Sequence, residues 1–203
     1  MARAGALVAA FLPGAMALAA SAAPEVFVVD PAHTHPSFSV DHLGISTQRG
    51  RLGRTTGRIV LDREAGTGTV EVEIDAASVS TGNAALDAVV RGEDFLDAAR
   101  HPVARFRARE LVFEAGVPRR AAGELTLAGV TKPVELAIVR FGCTRLPFLV
   151  RLTCGADIVA GLKRSAFGMS AFPAFVGDEV RLDIQVEAVL EEREPPPAPS
   201  GGR

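Results

Sequence analysis

Polar and apolar residues alternate one by one through segment after segment of this chain. Thr69–Asp75 reads T-V-E-V-E-I-D, and Val180–Glu187 reads V-R-L-D-I-Q-V-E. Successive side chains of a strand point to opposite faces, so each of these segments has one apolar and one solvated face. Little helical patterning lies between them, which predicts an antiparallel sheet with a single buried side. Such a sheet must cover its apolar side. Closing into a barrel is one solution, and roughly eight strands either fill their own interior or enclose one small ligand.

The rest of the pattern is consistent with an all-β chain. Val26–Val29 and Pro36–His42 read as a first strand interrupted at Pro31, with Phe38, Val40 and His42 on one face. Leu43–Gln48 reads as a turn or short helix. Arg49–Asp62 reads as extended, with Gly50, Gly53 and Gly57 permitting bulges. Thr69–Ala76 is the next strand. Asn83 is placed to cap a helix over Ala84–Arg91, and Gly92 to stop it. Leu86, Val89 and Val90 give that helix an apolar side that fits over one end of a barrel. Strands are expected at Val103–Glu114, Gly123–Leu127, Val134–Phe141, Cys154–Leu162 and Glu179–Leu190, with a turn at Ala128–Pro133. Lys163–Val176 reads as apolar and irregular.

Both ends of the 203-residue chain differ from this middle. Arg3, the apolar run Ala4–Ala20 and the small residues Ala20-Ser21-Ala22 have the layout of an export signal, so residues 1–22 are expected to be removed. Pro13 and Gly14 make the same run a poor membrane span, and none is expected once the signal is gone. Residues 191–203 read E-E-R-E-P-P-P-A-P-S-G-G-R and are expected to form a disordered tail. Residues 23–190 remain as one domain, large enough for a real core.

Charge and cysteine content narrow the options further. The formal net charge is −2, which argues against a nucleic-acid partner, whose footprint would be basic. Arg105, Arg107 and Arg109 fall on one strand face and read as a solvated outer wall. The two cysteines, Cys143 and Cys154, flank a short segment between two strands. In an exported protein they are expected to form a disulfide across that hairpin. Two cysteines without a nearby histidine do not make a zinc site.

Catalytic motifs are missing from the sequence. There is no G-x-S-x-G, no H-E-x-x-H and no P-loop, and the carboxylates alternate with apolar residues as on a wet strand face. His33-Thr34-His35, with His42 beyond, supplies imidazoles that could hold zinc or copper. The plainer reading places them at a barrel rim. The remaining signal is the apolar set at inward-type positions: Phe38, Val40, Val70, Val72, Ile74, Phe106, Leu125, Leu127, Leu136, Ile138, Leu182 and Ile184. Periodicity alone does not separate a filled barrel from a hollow one.

Several blocks, in order, resemble the YceI-like family of exported, lipocalin-like, polyisoprenoid-binding proteins. They are D-P-A-H-T-H-P-S-F-S-V-D-H-L-G-I-S-T (Asp30–Thr47), G-R-I-V-L-D (Gly57–Asp62) and I-D-A-A-S-V-S-T-G-N (Ile74–Asn83). After the helix come D-F-L-D-A-A-R-H-P (Asp94–Pro102), G-E-L-T-L-A-G-V-T-K-P-V (Gly123–Val134), K-R-S-A-F-G-M (Lys163–Met169) and V-G-D-E-V (Val176–Val180). The cysteine pair resembles the cysteine-bearing branch. The chain departs from the family where Ala166 replaces a common Asp and where His101 replaces a common Tyr. It contains no Tyr or Trp.

The resemblance implies an extended eight-stranded antiparallel barrel with one short helix at an end and an apolar tunnel. It implies periplasmic binding, storage or transport of a long amphiphile, a polyisoprenoid or isoprenoid-quinone-like lipid, with no catalysis and no cofactor beyond that ligand. It is also consistent with a homodimer. On this reading Phe38, Val40, Phe106, Leu127, Leu136, Ile138, Phe167, Met169 and Phe172 line the tunnel. His42, Lys163 and Arg164 are expected to meet a polar head group at its mouth. The rival readings are a metal- or haem-binding stress protein using His33, His35 and His42, and an accessory enzyme of isoprenoid-quinone metabolism.

Overall fold

A computed structural model describes residues 23–145 and 151–192. The expected export signal at 1–22, and all but the first two residues of the expected tail, lie outside the described residues. Among the described residues, eleven strands form one sheet. They are β1 (Glu25–Val29), β2 (His35–His42), β3 (Ser46–Leu52), β4 (Thr55–Asp62), β5 (Thr67–Asp75) and β6 (Val79–Ser80), then β7 (Val103–Glu114), β8 (Val117–Leu127), β9 (Val130–Thr144), β10 (Thr153–Lys163) and β11 (Val176–Leu190). Among the described residues the one α-helix, α1 (Ala84–Arg91), lies between β6 and β7.

The sheet closes on itself. β1 pairs with β4 on one side and β11 on the other, and every pairing around the ring is antiparallel. The result is a closed eight-stranded barrel. The additional strands come from broken ones. β11 pairs with β1 over Ala188–Leu190 and with β2 over Val176–Gln185, so β2 continues the station that β1 begins. The chain turns between them at Asp30, whose carboxylate accepts from Ala32 N and bonds His33 Nδ1. β3 continues β4 in the same way, and β6 pairs only with β3. The ring is therefore complete at the end holding β1 and β4. At the other end it is unpaired between β6 and β7, and α1 lies there.

The alternation seen in the sequence becomes the wall. Glu71 faces Arg107 across the β5–β7 ladder, and Glu73 faces Arg105, so these arginines do form a solvated outer face. Such exposed pairs add little stability each. Apolar partners on the same strands face inward. Cys143 and Cys154 are directly opposite in the β9–β10 ladder and form the expected disulfide.

Local chemistry explains where the elements stop. Asn83 Oδ1 accepts from the backbone N–H groups of Ala85 and Leu86, and Gly92 N–H bonds Val89 O, so α1 has the expected cap and end. Two-residue turns at Ala115-Gly116 and Ala128-Gly129 have positive φ at both positions, the geometry that matches the twist of an antiparallel hairpin. The expected turn over Ala128–Pro133 is therefore only two residues long. Val130–Pro133 belong to β9, because the hairpin register carries pairing down to Leu127–Val130. The expected turn or helix at Leu43–Gln48 is also shorter. Asp41 accepts from Gly44 N–H, Leu43 and Gly44 take positive φ, and Ser46 already opens β3.

Candidate functional site

The interior divides into two unequal spaces. At the disulfide end a small cavity of about 120 Å³ is surrounded by Phe27, Leu61, Leu111, Cys154 and Ala188. These side chains are almost fully buried, Phe27 completely. At the helix end lies a chamber of about 610 Å³. The two spaces meet at a waist, since Pro36, Ile74, Phe106, Leu136 and Ile184 line both.

Every apolar residue assigned inward by alternation lines one of these spaces. The chamber wall is made by β2, β3, β5, β7, β8, β9, β10 and β11, and its roof by Leu86, Val89 and Val90 of α1. No residue of α1 is fully buried, although the helix presents an apolar side. A surface helix normally buries that side against a core. Here Val90 packs against the edge of the core, and Leu86, Val89 and Val90 together border the chamber.

Polar groups gather at the mouth. Asp41, His42, Gln48, Thr81, Asn83 and Arg164 border the chamber from the ends of strands or the flanks of α1. Several are already engaged. Asn83 caps the helix, and Thr81 donates its hydroxyl to Asp87 Oδ1 at 2.7 Å. That bond and the Thr81 backbone N–H hold the Asp87 carboxyl below its usual pKa. Large apolar side chains share the rim: Phe172 and Phe175 are about half exposed, and Phe172 stacks on Phe95 with ring centres 6.2 Å apart.

Arg164 is the most constrained of the mouth residues. It is 4% exposed. Its Nε donates to Gly177 O at 2.9 Å, Nη1 to Met169 O at 2.6 Å and Nη2 to Val176 O at 2.8 Å. Its guanidinium carbon lies 6.0 Å from the centre of the Phe95 ring, within cation–π range. One side chain thus ties the 3₁₀ turn Arg164–Phe167, the following loop and the start of β11 together. Beside it, Asp178 accepts from Ser165 N–H and Oγ, both at 2.9 Å. These bonds, the backbone one first, hold the Asp178 carboxyl below its ordinary value.

The expected site residues fall into three groups. Phe38, Val40, His42, Phe106, Leu127, Leu136, Met169 and Phe172 line the chamber, and Arg164 borders it. Ile138 lines the small cavity beyond the waist. Phe167 is buried in the 3₁₀ turn and lines neither space, and Lys163 points outward. Lys163 ends β10 one residue after inward Leu162, so alternation turns it to solvent, where its Nζ lies 3.6 Å from Glu179. Arg164 departs from expectation in a different way, because its donors are directed at backbone carbonyls.

Phe95, Phe175 and the α1 side chains, which are not among the expected site residues, also line the chamber. The apolar side of the helix was visible in the sequence. No local pattern marks the carbonyls that gather around Arg164, which come from positions five to thirteen residues away.

The histidines are not brought together. His33 bonds Asp30, which raises its pKa, while His35 and His42 stand at opposite ends of β2, roughly 20 Å apart. Ala166 is exposed on the 3₁₀ turn, and the His101 ring packs against Gly129 of the β8–β9 turn. Among the described residues, no group of three or more His, Cys, Asp or Glu side chains is placed to hold a metal, and no helix is long and apolar enough to cross a membrane.

A closed antiparallel barrel with an apolar chamber, a helical roof and a polar mouth is a hollow, lipocalin-like architecture. The chain belongs to the YceI-like family: the YceI-like domain matches residues 27–188. A UPF0312 protein of Shewanella denitrificans is 34% identical over 175 residues, covering 85% of this chain and 91% of that protein. The crystal structure of the Campylobacter jejuni YCEI protein is 26% identical, covers 75% of this chain and 90% of that one, and superposes with a TM-score of 0.64. A polyisoprenoid binding domain from Saccharophagus degradans shares the fold at 16% identity, with a TM-score of 0.58 over 81% of this chain and 98% of that one.

Proposed function

We propose that this protein binds a long amphiphilic lipid, a polyisoprenoid or isoprenoid-quinone-like molecule, with its tail in the helix-end chamber and its head group at the mouth. The observation that carries this reading is the separation of chemistry within one space: an apolar wall around about 610 Å³, with polar side chains collected at its open end. Each tail methylene moved from water into such a wall gains about 0.8 kcal/mol. A long chain therefore binds firmly without polar contacts along its length. Membership of the YceI-like family supports the reading, as does the polyisoprenoid-binding relative that shares the fold.

The protein acts as a carrier or store and catalyses no reaction on this reading. It works in the periplasm, after removal of residues 1–22. The Cys143–Cys154 disulfide supports that location, since such bonds persist in oxidising compartments. On this reading His42, which lines the chamber from the end of β2, meets the head group.

Native mass spectrometry of protein purified without lipid stripping, followed by solvent extraction, tests the proposal. The expected result is a stoichiometric bound mass that moves into the organic phase. Protein at its bare mass that also takes up none of a series of added prenols or prenyl quinones would overturn it.

A further inference from the structure

The chamber is hollow where two phenylalanines could have filled it. Phe38 is paired directly with Gly50 across β2 and β3. A Cβ built on Gly50 would lie 2.5 Å from Phe38 Cζ and 2.7 Å from Cε1, so the ring rests on the glycine. Gly50 stands between Gln48 and Leu52, both of which line the chamber, and so occupies an inward position with no side chain. Phe106 pairs directly with Leu125, and its ring tip reaches the glycine two residues along that strand. A Cβ on Gly123 of the neighbouring β8 would lie 2.8 Å from Phe106 Cζ. An aromatic ring laid over a strand glycine covers the exposed backbone.

The two seats occupy different places. Phe38 lines the chamber alone, whereas Phe106 stands at the waist and borders both spaces. We infer that these two rings, seated on interior glycines, select the chain by size: Phe38 sets the width of the chamber, and Phe106 is the stop that ends the bound tail. This rests on the lipid-binding reading above and adds residues that decide which lipid is accepted. With Phe106 in its seat the tail ends at the waist. A smaller side chain there opens the cavity beyond. A methyl group on Gly50 lifts the Phe38 ring into the lumen and narrows it. Gly123 is a poor place for the same test, because its Cβ would also meet the Arg107 carbonyl oxygen at 2.3 Å.

The test uses mature protein and farnesol, geranylgeraniol and solanesol, prenols of increasing length, alongside a series of straight-chain fatty alcohols. Phe106→Leu is expected to raise the ratio of long-chain to short-chain affinity about tenfold, and Gly50→Ala to lower it about tenfold. Phe38→Leu/Gly50→Ala is expected to return the ratio to the wild-type value, since no ring remains to be displaced. That rescue separates size selection from a general loss of structure, and melting curves for each variant confirm folding. Wild-type binding with the same ratio in all variants overturns the inference and leaves the lipid-binding reading intact. Binding of only the fatty alcohols keeps the inference, tested on that series, and removes the isoprenoid assignment. Uptake of neither series by the wild-type protein overturns both.

Discussion

The two ends of the barrel use one sheet in opposite ways. At the disulfide end all eight stations are hydrogen-bonded around the ring, Phe27 is fully enclosed, and only about 120 Å³ is left empty. At the helix end three stations are continued by separate short strands, the ring is unpaired between β6 and β7, and about 610 Å³ is open beneath a helix with no buried residue. The difference is a division of labour. The disulfide end is packed across its whole interior, whereas the helix end keeps its buried side chains, such as Val79, Phe167 and Met169, around an open space. The helix end is free to stay hollow, and regions that bind or move are drawn from the less stable part of a structure.

The sharpest test of this division compares two phenylalanines. Phe27→Ala removes a fully buried side chain and is expected to cost about 3–5 kcal/mol in chemical denaturation. Phe172→Ala, at a half-exposed rim position, is expected to cost under about 1 kcal/mol while weakening prenol binding. Equal stability losses would break the comparison. Next, Cys143→Ser/Cys154→Ser removes a short cross-link at the filled end. The loop-entropy model predicts a loss of about 3 kcal/mol, with ligand affinity unchanged. A large fall in affinity would show that the two ends are not independent.

Arg164→Met probes the part of the mouth that is built, not hollow. Three backbone carbonyls lose a charged donor, and about 2–3 kcal/mol of stability should go with it. Affinity should also fall, because the loop carrying Met169 and the start of β11 lose their tie. The smallest effect concerns Asp178. Its carboxyl is held below the ordinary value of 3.8 by its bonds from Ser165, so its contribution is present above about pH 4 and is lost as the pH falls through the lowered folded value. Asp178→Asn should therefore melt below wild type at pH 7, with the gap closing in acid. A gap that persists at low pH would assign the effect to something other than the carboxylate.

Much of the filled and hollow ends was legible in the sequence, for one physical reason. Strand alternation is a local property, so the inward set from Phe38 to Ile184 could be read without tertiary knowledge. Cap chemistry is local too, which is why Asn83 and Gly92 bound the helix as expected. Lys163 has the charge and block position of a head-group ligand, but the same local alternation, counted from Leu162, turns it outward. What escaped was long-range. Arg164 has that charge and position too, yet the fold surrounds it with the carbonyls of Met169, Val176 and Gly177. The seats of Phe38 and Phe106 were also out of reach. Gly50 suggested a bulge and Gly123 only the start of a strand, and cross-strand register decides which ring each one meets.

The most direct test of the central claim is a photo-crosslinking map with a prenol carrying a photoreactive group on its tail, read by peptide mass spectrometry. Lipid bound in the hollow end predicts adducts on chamber residues such as Leu127, Met169 and Phe172. Adducts confined to outward side chains such as Val139, or to the filled end around Leu61, would contradict it.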